Sequence, residues 1–195
     1  MRNRLLLALF AMATVTLSAC GINSIPTAEE NAKAKWADVQ SQYQRRADLV
    51  PNLVNTVRAA ADQERTVLRE VTEARASATR ITVTPEQLTD PAAMARFSEA
   101  QGRLTLSLQR LQEAYPELRS NDGFLNLQSQ LEGTENRIAV ARRDYNAAVQ
   151  AYNTEIRTFP SVIGARVIYG SQPMQPFQAD EAAQSAPTVD FGNRQ

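Results

Sequence analysis

The sequence predicts an all-α protein: an up-and-down bundle of three to four long helices, the first kinked at Pro51, followed by an irregular C-terminal tail. Three observations carry this reading. Apolar residues recur at alternating spacings of three and four over long stretches, which is the period of a helix face. Glycine is scarce, at 7 of 195 residues, and aromatic residues make up 6%, which disfavours a β-sandwich or a glycine-rich nucleotide-binding fold. Proline and small clusters of Ser, Asn and Asp punctuate the periodic stretches where helices start and stop.

The first helical stretch begins at Glu29. Its seam reads Trp36, Val39, Tyr43, Arg46, Val50, Leu53, Val57, Ala60, Glu64, Val67, Val71, Ala74 and Ala78, and eleven of these thirteen are apolar. Ala47, Val54, Ala61 and Leu68 widen the stripe to that of a bundle helix. Pro51 lies inside the run, where it removes one backbone donor and clashes with the Ala47 carbonyl, a cost of about 3 kcal/mol. The seam keeps phase across it, so a kink is expected rather than a break. Trp36 is expected to cap the core nearest the membrane.

Arg80 to Asp90 reads as a connection. Thr84-Pro85-Glu86-Gln87 has the form of a capping box, and Asp90-Pro91 is the stronger start signal. The second helix turns Met94, Phe97, Gln101, Leu104, Leu108, Leu111 and Tyr115 inward and ends before Pro116. Ser120-Asn121-Asp122-Gly123 reads as a turn that offers a cap for the third. That helix has the seam Phe124, Leu127, Leu131, Thr134, Ile138, Ala141, Tyr145, Ala148, Tyr152, Glu155 and Phe159, with Pro160 as its stop. Residues 161–195 are broken by Gly164, Gly170, Pro173, Pro176 and Pro187. The first part, around Val167-Ile168-Tyr169, is apolar enough to be expected along the bundle.

The N-terminus reads as an export signal. Arg2 and Arg4 precede an apolar stretch, Leu5 to Leu17, that is short for a bilayer span. It ends in Leu17-Ser18-Ala19-Cys20-Gly21, which resembles a bacterial lipobox. The one cysteine of the chain is the residue that such a signal would lipidate. The expected layout is a lipoprotein signal peptide at 1–19, a lipidated tether at 20–28, the helical bundle at 29–160 and the tail at 161–195, partly packed on the bundle. More than one acyl chain on Cys20 would anchor the protein stably.

The composition narrows the chemistry. With no histidine and one cysteine, His-based acid–base catalysis, Ser-His-Asp and Cys-His triads, and the usual zinc or di-iron sites are excluded. No cofactor or metal is expected. The net charge is zero, and loss of residues 1–19 leaves 19 basic and 21 acidic groups, so no electrostatic footprint for nucleic acid is expected.

Several motifs together resemble the LemA family. They are Gln44-Arg45-Arg46-Ala47-Asp48-Leu49-Val50-Pro51-Asn52-Leu53-Val54, then Tyr115-Pro116-Glu117-Leu118-Arg119, then Phe124-Leu125-Asn126-Leu127-Gln128. Leu131-Glu132-Gly133-Thr134-Glu135-Asn136-Arg137-Ile138 and Ala141-Arg142-Arg143-Asp144-Tyr145-Asn146 follow. Tyr152-Asn153, Phe159-Pro160, Pro176-Phe177 and Ala186-Pro187-Thr188-Val189-Asp190-Phe191 complete the set. The resemblance covers about residues 29–191. It implies a membrane-associated helical bundle of a bacterial envelope and supplies no catalytic residues. Many relatives keep an uncleaved transmembrane helix where this chain has a lipobox, so the anchor differs.

Polar residues that break or flank the seams are the candidate site: Arg46, Asp48, Asn52, Gln128, Glu132, Glu135 and Arg142, a possible polar interaction stripe. Two roles are open. They form interhelical pairs that fix register, or they present a docking stripe to a partner. The first is cheaper, because a half-buried charge needs a partner and the nearest is in the same bundle. Tyr145-Asn146 and Tyr152-Asn153, seven apart, read as core tyrosines with Asn bonding a neighbouring backbone.

The expected function is that of a lipid-anchored envelope scaffold or interaction module without catalytic activity, with a membrane or periplasmic protein as partner. The alternative is a binding lipoprotein for a small or lipid-like ligand, marked by a cavity lined by Tyr145, Tyr152 and Gln128. The membrane is reached through lipid on Cys20. Gly21 is not the Asp of an inner-membrane retention signal. The expected place is therefore the periplasmic face of the outer membrane in a cell with two membranes, or the outer face of the plasma membrane in a cell with one.

Overall fold

The computed structural model describes residues 23–60, 65–116, 118 and 121–178. The export signal, Cys20, Gly21, Glu64 and the tail beyond Gln178 lie outside the described residues. Within them the chain forms four principal helices, α1 (Ser24–Ala60), α2 (Arg65–Arg80), α3 (Pro91–Ala114) and α4 (Asp122–Glu155). A 3-10 turn, Pro85–Thr89, precedes α3. A short helix α5 (Ser161–Gly164) and a π-helical turn, Ala165–Tyr169, follow α4.

Helices α1 and α4 form the long antiparallel frame. Ser24 meets Glu155, Trp36 meets Tyr145, Arg46 meets Glu135 and Thr56 approaches Gly123, so one register holds from end to end. At 37 residues, α1 is about 55 Å long. Helices α2 and α3 are a second antiparallel pair, with Ala78 beside Gln101 and Glu70 beside Arg110. They complete an up-down-up-down bundle over the half farther from Ser24.

The start signals act as the sequence predicts. Asp90 accepts from the Ala92 N–H at 2.8 Å and caps α3, and Asn121 accepts from the Phe124 N–H at 3.0 Å and caps α4. The Thr84 N–H donates to the Gln87 side chain at 3.0 Å, one half of the capping box.

Three expectations are corrected. The stretch from Trp36 to Ala78 is two helices, because Arg75 reaches back to Ala47, which one straight helix of that length forbids. Helix α1 begins at Ser24 rather than Glu29, and Ile25 and Ala28 pack in the core, so that part of the expected tether is bundle. Pro26 falls in the first turn, where its missing N–H costs nothing. Helix α4 ends at Glu155, short of Pro160, and Phe159 is 81% exposed rather than in the seam.

Helix α1 runs through Pro51 without a break. The Ala47 carbonyl, which Pro51 leaves without its helix donor, accepts the Arg75 Nε–H of α2 at 2.7 Å. A neighbouring helix supplies the bond that the proline removes.

The core has two parts. Nearer Ser24 it is aromatic: Trp36, Tyr43, Phe97, Tyr145 and Phe177 contact one another in edge-on and stacked pairs, with centroids 5.2–6.3 Å apart. Trp36 lies well inside this part and donates to the Val83 carbonyl at 2.9 Å, while Ile25 and Ala32 fill the end that Trp36 was expected to cap. The other part is mainly aliphatic, built from Val50, Leu53, Val57, Val71, Leu104, Leu111 and Leu131, among others, with Tyr115 and Phe124.

Candidate functional site

Arg46 occupies the boundary between the two cores and is 1% exposed. Its heptad position on α1 drives it inward, and burial of an unpaired guanidinium is too costly to persist. Two other helices supply its hydrogen-bond partners, and the remaining helix is reached through one of them. Nη1 donates to Glu135 Oε1 of α4 at 2.9 Å and to Thr105 Oγ1 of α3 at 2.8 Å. Nη2 donates to the Gln101 side chain at 2.7 Å and to its carbonyl at 3.1 Å. Gln101 in turn donates to the Ala78 carbonyl of α2 at 3.2 Å. The Tyr43 ring lies 5.0 Å from the guanidinium carbon. One arginine thereby ties all four principal helices at a single level.

The remaining stripe residues do not join this layer. Gln128 donates to Glu132 at 3.0 Å along α4. Asp48 accepts from Gln44 at 2.8 Å, and Asn52 is exposed, both on α1. Glu132 and Glu135 share a groove of about 420 Å³ between α3 and α4, lined also by Thr105, Leu108, Gln112 and Leu131. The seven candidates form an arginine layer and scattered surface groups rather than one stripe.

Arg142 belongs to a different assembly. It donates to the Gln178 carbonyl at 3.1 Å and lies over the Phe177 ring at 4.8 Å. Beside it, Asn146 takes both polar groups of the Phe177 backbone, accepting its N–H at 2.8 Å and donating to its carbonyl at 3.0 Å. One heptad on, Asn153 does the same to Met174, both bonds at 2.9 Å. The Tyr145 hydroxyl donates to the Gln175 carbonyl at 2.9 Å, and the Gln175 N–H donates to the Leu88 carbonyl at 2.8 Å. The fit is metric. Seven helical residues advance about 10.5 Å, and three extended residues advance about 10 Å. The asparagines that read as backbone partners therefore hold the second part of the tail, with Met174 and Phe177 in the core. Burial pushes the Tyr145 and Tyr152 phenols above their ordinary range.

The first part of the tail is not along the bundle, as its apolar content suggested. It sits at the end of α4, where Val167 and Ile168 are exposed. Ser161 and Ser24 both donate to Glu155 Oε1, joining α5 to the start of α1. Those two bonds, Ser161 first, hold the Glu155 carboxyl below its ordinary range. Sequence reasoning missed this node and Thr105, because neither serine nor threonine has a periodic signature. Among the described residues no group of three or more His, Cys, Asp or Glu is placed to hold a metal, and no helix is long and apolar enough to cross a membrane.

The LemA family model matches residues 35–191, from the Trp36 level of α1 through the arginine layer and the stapled tail. Magnetosome proteins MamQ 1 and MamQ 2 of Paramagnetospirillum magneticum are each 28% identical over 161 residues, covering 71% of this chain and 58% of theirs. Magnetosome protein MamQ of Magnetospirillum gryphiswaldense is 26% identical over 172 residues, covering 76% of this chain and 62% of its own. The chain thus spans less than two thirds of the length of these relatives. With the family model matched over most of its residues, the chain belongs to the LemA family.

Proposed function

We propose that this protein is a lipid-anchored scaffold of the bacterial envelope, held through Cys20 and presenting its helical bundle to a membrane or periplasmic protein, without catalytic activity of its own. The observation that carries this reading is the burial of the two tyrosines that a ligand cavity would need. Tyr145 is 0% exposed and Tyr152 2%, both packed in the aromatic core, and Gln128 lies in the other half of α4. The two tyrosines and Gln128 are thus set apart along α4, which favours the scaffold over the ligand-holding alternative. Both Nη groups of the buried Arg46 are paired within the bundle, while its Nε has no partner among the described residues, and the long outer faces of α1, α3 and α4 remain for a partner protein. The designation of the relatives as magnetosome proteins supports a membrane-associated place.

The anchor and the scaffold are tested together. Metabolic labelling with a fatty-acid analogue should mark the wild-type chain and not Cys20→Ala. Cross-linking in intact cells should join the labelled protein to one envelope protein, reproducibly, through surface positions such as Asp48 and Asn52. Undiminished label on Cys20→Ala would sink the anchor, and absence of any cross-linked product would sink the scaffold.

A further inference from the structure

Among the described residues, eight large apolar side chains are exposed, and five of them fall between Phe159 and Tyr169. They are Phe159, Ile163, Val167, Ile168 and Tyr169, with Val167 at 79% exposure. Ile163 and Val167 are one turn apart and share a face. The inward side of the same segment is occupied, since Ser161, Gly164 and Ala165 are buried. Gly170 then takes φ 58, a left-handed conformation that turns the chain back toward α4. The segment therefore holds its large apolar side chains on the side away from the bundle.

Its position in the molecule is specific. The Ser24–Glu155–Ser161 node fixes this apolar knob beside the first residue of α1. Cys20 stands four residues before Ser24, and four residues of extended chain reach about 14 Å at most. Arg157 and Arg166 are exposed within the same stretch. The far end of the described tail, Gln178, is bonded to Arg142, about 20 Å along α4 from Glu155. Leu106, Leu125 and Val140 are the other exposed apolar residues, and they stand singly along α3 and α4.

We propose that the Phe159–Tyr169 knob enters the interfacial layer of the lipid bilayer, as a second membrane contact beside the acylated Cys20. Its aliphatic side chains and Phe159 lie at the level of the acyl chains. Tyr169 lies at the headgroups, and Arg157 and Arg166 face anionic lipid phosphates. The contact stands the bundle on its Ser24 end and keeps its long faces free. This inference rests on the proposed lipid anchor for its orientation.

The test uses the full chain, purified with its lipid and placed in phosphatidylethanolamine–phosphatidylglycerol vesicles. Val167→Cys and, at the far end of α4, Leu125→Cys each receive a bimane fluorophore; both sites are exposed, so the fold is undisturbed. With brominated acyl chains in the vesicles, the label at Val167 should lose about half its emission and the label at Leu125 almost none, as an interfacial insertion requires. Equal, weak quenching at both positions overturns the knob. So does equal shielding of the Val167 label from aqueous iodide with and without vesicles, which would assign the patch to a second copy or to the chain's own tail. Fatty-acid labelling of the same preparation separates the two readings. Acylation with an unquenched Val167 label rejects the knob and leaves the anchor, and quenching without acylation does the reverse.

Discussion

Arg75 donates its Nε–H to the Ala47 carbonyl at 2.7 Å across the α1–α2 hairpin. That carbonyl is the one Pro51 deprives of a helix bond, so proline and arginine form one device. It explains how a proline persists inside a 37-residue helix. The arrangement predicts strong coupling. Arg75→Ala should cost about 1–2 kcal/mol in the wild-type chain, because a part-buried acceptor is left unpaired. In a Pro51→Ala background the same change should cost less than half as much, since residue 51 then supplies the donor. Urea denaturation of the four variants measures the coupling, and additive costs would show that Arg75 does not serve the proline.

The Arg46–Glu135 pair is asymmetric, with side chains 1% and 42% exposed. Glu135→Ala should therefore cost about 1 kcal/mol, the range of a screened pair. Arg46→Ala should cost about 3 kcal/mol or more, because it empties a core position and strands Gln101 and Thr105. Thermal melts of both variants check the order. If Glu135→Ala keeps its melting temperature and loses the cross-linked partner, the groove beside Glu135 is the docking surface.

The stapled tail should detach in steps. Asn153→Ala leaves the Met174 N–H and carbonyl unpaired, and Asn146→Ala does the same for Phe177. Each should cost about 1–3 kcal/mol. Limited proteolysis should then cut near Gln175 faster in either variant, and faster still in the double variant. Unchanged cleavage would mean that the buried Met174 and Phe177 side chains hold the tail alone.

The Glu155 node is sensitive to pH. Its carboxyl is held below the ordinary 4.5 by Ser161 and then Ser24. A depressed carboxylate contributes stability that is present above its unfolded pKa and is lost as pH falls through the folded one. Ser161→Ala should therefore destabilise the protein by about 1 kcal/mol at pH 7, and the difference should shrink as the pH is lowered below 4.5. Melting curves over that span provide the check, and a constant difference would place the effect in packing rather than charge.

The amino-acid sequence determined by itself what is encoded over a few residues. The helical periods, the Asp90 cap, the capping turn at Ser120-Asn121-Asp122-Gly123, the end of α3 before Tyr115-Pro116 and the inward course of Arg46 are all of this kind. Each depends on contacts between positions three or four apart or on the geometry of one proline. The separation of α1 from α2 was not legible, because Val57, Ala60, Glu64 and Val67 keep the three-four spacing in the sequence. Two helices whose seams stay in phase look like one to any periodic reading.

Only the tertiary structure decided which partners meet. Arg46 reaches Glu135 because α1 and α4 lie antiparallel in one register, a relationship between residues 89 positions apart. The tail divides in the same way. Composition marks Val167-Ile168-Tyr169 as the part to bury, yet Met174 and Phe177 are buried, because only they align with Asn146 and Asn153. Hydrophobicity states how much a side chain gains from leaving water. The space in the core and the satisfied backbone beside it decide whether that gain is available.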